Sequence, residues 1–114
     1  MNKLDTKLFL CALALMVVVI GGFINMHAVI QNGGRMPVQN HDNMVLEIDT
    51  PTHFTFNQSS EVKAYPLTDK FRWILKRRGE VYIFSLGDVI IYLGYVFVLI
   101  MGIVLIISGI RKNV

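Results

Sequence analysis

The chain has 114 residues, 54% of them hydrophobic, one cysteine and a formal charge of +3. That length is about one domain, yet the apolar residues are gathered in two runs at the ends. A soluble globular core is therefore excluded, because two helices apolar on every side would have only about 50 residues left to cover them. A lone cysteine also excludes an intramolecular disulfide, and Cys11 reads as an ordinary apolar helix residue.

The first run carries no charge from Leu8 to Ile24 and stays apolar through Met26 to Ile30, which predicts a helix from about Asp5 to Gln31. At a rise of 1.5 Å per residue it can cross a hydrocarbon layer of ~30 Å. A cleaved secretory signal is the competing reading, since Lys3 and Lys7 form a basic start. The apolar stretch is longer than the usual ~7 to 15 residues, however, and no A-x-A site follows it. Leu8-Phe9-Leu10 likewise lacks the small residues of a lipoprotein site before Cys11. Ala14, Gly21 and Ala28, with Asn25, share one helix face and make a small-residue stripe suited to close helix packing. The run closes at Asn32-Gly33-Gly34-Arg35-Met36-Pro37, where residues tolerant of left-handed backbone end a helix and proline stops its continuation.

Residues 32–84 form a polar loop. Val45 to Thr50 and His53 to Phe56 alternate partially around Pro51, which allows a small hairpin. From Thr68 to Arg78 the spacing predicts a short amphipathic helix, with Phe71, Ile74 and Leu75 on one face, Lys70, Arg72, Lys76 and Arg77 off it, and Gly79 at its end. Lying in a membrane interface, it would present Trp73, Lys76, Arg77 and Arg78 to the headgroups. The alternative is a solvated helix packed on a protein partner.

The second charge-free run extends from Val89 to Ile110 and opens with Ser85-Leu86-Gly87-Asp88. This fits a capping box with Ser85 as N-cap and Asp88 as the third helical residue, so Asp88 has a sufficient structural role. Gly87, Gly94, Gly102 and Gly109 fall within an arc of roughly 80° and form a second stripe, for the first helix or for a partner subunit. In an antiparallel hairpin Arg35 and Asp88 come to the same end, which predicts an ion pair between them; otherwise each caps its own helix.

The expected architecture is an all-α membrane protein with two transmembrane helices in an antiparallel hairpin. Residues 1–31 are tail and first span, 32–84 the loop with its amphipathic helix near 68–78, and 85–114 the second span with a basic tail. Basic residues number two before the first span, seven in the loop and two at the end. Counting the whole loop puts it in the cytoplasm, whereas the flanks of the first helix put the termini there. The first helix usually dominates, so cytoplasmic termini are the expectation.

Chemistry-bearing constellations are sparse. His27, His41 and His53 are scattered without metal-ligand spacing, and no G-x-S-x-G, Walker loop, CxxC or carboxylate pair is present, so neither metal nor cofactor is expected. The basic stretch Lys76-Arg77-Arg78 lies close to a span, which suits anionic lipid rather than nucleic acid.

Two segments carry a family resemblance: Ile30-Gln31-Asn32-Gly33-Gly34-Arg35-Met36-Pro37-Val38 and Ser85-Leu86-Gly87-Asp88-Val89-Ile90. Together they resemble an uncharacterised family of small bacterial integral membrane proteins, a domain of unknown function. In that family an N-G-G-R-M-P-V stretch follows one helix, and a stretch like Phe84 to Asp88 begins the last. Thr52-His53 and Leu67 to Leu75 resemble the segments between, and the likeness covers about Ile24 to Ile110. Family members typically carry further N-terminal helices, and if those helices complete a site, the resemblance implies that a partner supplies them here. The resemblance implies a bacterial cell membrane, no established activity, and Asn32, Gly33, Gly34, Arg35, Pro37, Ser85, Gly87 and Asp88 as candidate functional residues.

The functional expectation is a non-enzymatic accessory subunit that docks on a larger membrane complex, a transporter or membrane enzyme. One alternative is a self-associating small protein using the Gly94 and Gly102 face. The other is an interfacial lipid-acting enzyme using Arg35, His53 and Asp88, in which Arg35 holds a lipid phosphate and Asp88 is a base.

Overall fold

The computed structural model of the protein describes residues 2–41, 47–75 and 77–112. Helix α1 spans Lys3–Gln31 and α2 spans Leu86–Lys112. Both are long and apolar enough to cross a membrane. Between them lie four short strands: β1 Met36–Gln39, β2 His53–Phe56, β3 Phe71–Leu75 and β4 Glu80–Phe84. The expectation of a purely helical protein is thus corrected.

Each helix end is built by its own sequence. Asn2 caps α1 by accepting from Asp5 N–H at 2.8 Å. At the other end Gly33 and Gly34 adopt φ of 74° and 94°, which turns the chain so that Gly34 N–H donates back to Val29 O at 2.9 Å. Asn32 then ties the loop to the helix. Its amide donates to Ala28 O and Lys63 O and its carbonyl accepts from Lys63 N–H, at 2.8, 2.8 and 2.9 Å.

The two helices pack along a seam with a period of seven. Ala14, Gly21 and Ala28 are buried in α1, and Gly87, Gly94 and Met101 in α2. A seven-residue repeat drifts only ~20° per heptad on a straight helix, so small residues at that spacing keep two backbones close over several turns. The register leaves two of the four glycines outside the seam between the helices. Gly102 and Gly109 stand one position past the seam, with open space where a side chain would be. Met101 takes the next seam position, and Ser108 the one after, where its Oγ accepts from Lys7 Nζ at 2.6 Å.

The loop is organised around β1, the strand made by the Met36-Pro37-Val38 part of the first motif. Met36, Pro37 and Val38 are buried. β2 pairs parallel to β1, His53 opposite Met36 and Phe56 opposite Gln39. On the other side Asp69 bridges to Val38, with Asp69 N–H donating to Pro37 O at 3.0 Å and Gln39 N–H to Asp69 O at 2.9 Å. Phe56 meets Tyr65 edge to face at 6.1 Å and closes a small core over the helix ends. Of the hairpin expected around Pro51, Asp49 bridges antiparallel to Phe54; residues 45 and 46 lie outside the described residues.

The amphipathic helix predicted near 68–78 is instead an antiparallel hairpin, β3 with β4, turning through Arg77, Arg78 and Gly79. Val81, Tyr82, Ile83 and Phe84 are β-branched or aromatic and favour a strand. Gly79 at φ 64° makes the turn. Pairing then puts Phe71 opposite Phe84, stacked at 5.7 Å, and Trp73 opposite Tyr82. The helical spacing of Phe71 and Ile74 was outweighed by a partner strand that no local pattern names. Arg77 and Arg78 are exposed at the turn; Lys76 lies outside the described residues.

Candidate functional site

The end of the helix pair that carries the loop holds a closed polar ring. Ser85 is fully buried, and its capping box is reciprocal: Asp88 N–H donates to Ser85 Oγ at 3.2 Å and Ser85 N–H to Asp88 Oδ2 at 3.1 Å. The same groups reach across to α1. Ser85 Oγ donates to Asn25 Oδ1 at 2.6 Å, and Asn25 Nδ2 donates to Asp88 Oδ1 at 2.8 Å. Every polar atom in the ring has a partner, so the helix cap is also the clamp between helices. Gly87 is the residue that lets Asn25 approach, because a β-carbon there would collide with the Asn25 amide.

Arg35 does not join this ring. Its guanidinium donates to Asp49 and lies 4.8 Å above the Phe54 ring, while Asp88 is held by Asn25 and Ser85. The predicted pair of Arg35 with Asp88 is therefore corrected. β1 leaves the Gly33-Gly34 turn toward β2, and Arg35 follows that strand pairing rather than the helix axis.

Beside the ring is a cavity of about 300 Å³, lined by Asn25, Val29, Gly34, Met36, Thr52, His53, Asp69 and Asp88. The lining contains two carboxylates and neither lysine nor arginine. Asp69 is only 7% exposed, with Oδ2 at 3.7 Å from His53 Nε2 and Oδ1 buried without a hydrogen-bond partner. His53 Nδ1 is 2.8 Å from Thr52 Oγ1. Burial first, and then the charge of Asp88, push the Asp69 carboxyl up to about 7. Among the described residues no group of three His, Cys, Asp or Glu is placed to hold a metal ion. A cavity of this make-up can take up a proton or a positively charged group.

The pH consequence has a definite sign. Folded Asp69 keeps its proton between 3.8 and about 7, a window in which the unfolded chain has lost it. Stability from this group is full below 3.8 and falls as pH rises through about 7. The titratable groups facing it are His53 from β2 and Asp88 from α2. Melting of the detergent-solubilised chain should therefore shift downward across this window, and Asp69→Asn should flatten the profile and raise stability at alkaline pH by about 1–3 kcal/mol. An unchanged profile in the variant refutes the assignment.

The sequence points to His53 and Asp88 but not to Asp69. One lone carboxylate after Pro66 carries no signal, and only the bridge to Val38 brings it here. Asn25, a packing residue by its place on the small-residue stripe, completes the ring with its amide. Asn32, Gly33, Gly34 and Pro37 shape the helix exit and β1, and Ser85, Gly87 and Asp88 build the clamp. His27 is exposed near the end of α1, and His41 Nε2 contacts Lys70 O at 3.1 Å.

Fold and site together define a two-helix hairpin of apolar helices, capped at one end by a small β-structured loop over an acidic cavity. The chain belongs to the family of unknown function DUF5317, whose profile matches residues 10–101 and takes in both motifs. No curated protein and no solved structure matches it.

Proposed function

We propose that the chain is a two-pass protein of the bacterial cell membrane, with cytoplasmic termini, that serves as a non-enzymatic accessory subunit of a larger membrane complex. The observation that carries this reading is where the large apolar side chains point. The seam between the helices is filled by small residues, while Phe23, Tyr92 and Leu99 are 65%, 69% and 64% exposed. In water such faces would aggregate; in a bilayer they meet lipid or another subunit. Lys3 and Lys7 share the cytoplasmic end with Arg111 and Lys112, in keeping with the first helix setting orientation. Two helices also enclose no transport path, which favours a supporting role.

Extraction in mild detergent should co-purify a larger membrane protein in fixed stoichiometry, and Gly102→Leu, on the uncovered side of α2, should weaken that capture. Recovery of the chain alone, or only as multimers of itself, overturns the reading. Self-association through Gly94 is disfavoured, because Gly94 is buried against Val18 and Ala14 of the same chain. Labelling of cysteines placed in the loop, in a background lacking Cys11, reads the orientation.

A second reading, an interfacial acid–base enzyme acting on lipid, is favoured by one observation: His53, Asp69 and Asp88 share a cavity. Arg35 has no part in it. Lipid turnover by the purified chain, lost in both His53→Gln and Asp69→Asn, would favour it over the accessory role.

A further inference from the structure

A second cavity lies between the aromatic face of the β3–β4 hairpin and the first turns of α2. Its volume is about 510 Å³, and it is lined by Trp73, Tyr82 and Phe84 of the hairpin and by Asp88, Val89, Tyr92 and Leu93 of α2. Asp88 also lines the acidic cavity, so an apolar trough and a carboxylate-lined chamber share that residue. We propose that this composite site binds a phospholipid with a primary-amine headgroup, one acyl chain in the aromatic trough and the ammonium group between Asp69 and Asp88.

Size, charge and unsatisfied polarity each select this occupant. A volume of about 510 Å³ is within the usual range for a small amphiphile. A partner helix, ~10 Å across, would fit for only about one turn, too little for a stable helix contact. The tryptophan and two tyrosines of the lining, Trp73, Tyr82 and Tyr92, are side chains suited to the headgroup level of a bilayer. The chamber lining holds two carboxylates and neither lysine nor arginine, so an ammonium can take the place of the proton that Asp69 holds up to about 7, whereas no cationic side chain is there to pair with a phosphate. Asp69 Oδ1, buried and without a partner, is an acceptor for one of the three N–H donors that a primary ammonium carries. A bound cation would also relieve the repulsion from Asp88 that helps hold the Asp69 proton.

Trp73 is the only tryptophan in the chain and lines the trough, so it reports on the occupant directly. The inference rests on the membrane reading above, and the two can fail separately. The full chain is reconstituted in phosphatidylglycerol vesicles containing a trace of chain-brominated phosphatidylethanolamine, phosphatidylcholine or phosphatidylglycerol. The ethanolamine lipid should quench Trp73 several-fold more than the other two. Asp69→Asn should abolish that preference while the quenching by phosphatidylcholine persists, and Val89→Phe, which fills the trough, should lower quenching by all three. Equal quenching by the three headgroups, or a preference that survives Asp69→Asn in a variant with wild-type circular dichroism, overturns the proposal. Should Asp69→Asn fail to fold, retention of phosphatidylethanolamine in native mass spectra of the wild type, and its loss in Val89→Phe, decides the matter. Release of the chain from vesicles by alkaline carbonate would instead sink the membrane reading.

Discussion

Gly87→Val should unfold the helix hairpin, and Gly102→Val should leave its stability within about 0.5 kcal/mol of wild type. Both residues lie on the predicted glycine stripe, so composition alone assigns them equal weight. The packing does not. At Gly87 a β-carbon falls on the Asn25 amide and 2.8 Å from Gly21 O; at Gly21 it falls 2.8 Å from Gly87 O and 2.9 Å from Ile91 N. Backbone atoms cannot swing aside, so the helices must separate, and with them goes the ring that closes the cap. Overpacking of a tight core costs typically 1–3 kcal/mol, and these two sites belong at or above the top of that range. Gly94 should be milder: its closest obstacle is Val18 Cγ2 at 2.5 Å, a side chain, and the backbone N of Val18 lies at 3.1 Å. Thermal unfolding in detergent should rank the valine variants Gly87 and Gly21 lowest, then Gly94, then Gly102 and Gly109 near wild type. A Gly102 variant as damaged as Gly87 would refute the heptad seam.

Asn25→Asp should be strongly destabilising, and the double change Asn25→Asp with Asp88→Asn should recover most of the loss. In the native ring the Asn25 amide donates to Asp88 at 2.8 Å. An aspartate at 25 replaces that donor with an oxygen and sets two carboxylates at hydrogen-bonding distance, where like charges cannot both ionise. Exchanging the two side chain types reverses the direction of one bond and keeps the rest: Ser85 Oγ still finds a carboxylate oxygen on α1, and Ser85 N–H still finds a carbonyl oxygen on α2. Asn25→Ala, in contrast, strands the Ser85 hydroxyl and one oxygen of Asp88, at about 1–3 kcal/mol for each buried group left unpaired. A double-mutant cycle on thermal stability isolates the coupling. Additive losses in the double variant would mean that Asp88 acts only as a helix cap.

The capping box was legible because all its members lie within four consecutive residues and its chemistry is local. Asn25 was legible only as a member of a stripe, since its partners are 60 and 63 residues away. An angular arc of about 80° spans both the seam position and its neighbour, and only Met101 and Ser108 show which of the two faces α1. In the loop, Phe71, Ile74 and Leu75 satisfied a helical spacing by coincidence. Five consecutive backbone pairings with residues 80–84 decided the strand.

The amino-acid sequence alone determined two long apolar helices, the turn that ends the first and the capping box that opens the second, the small residues that let them approach, and membership of one family. These follow from properties carried within a few residues: hydrogen bonds four positions apart, side chain size and polarity, and backbone freedom at glycine. Tertiary structure alone decided that the loop is β-structured, that Arg35 turns to Asp49, and that His53, Asp69 and Asp88 share a cavity. Those arrangements depend on contacts between segments far apart in the chain, and a strand edge or a buried carboxylate acquires its character only when its distant neighbour arrives.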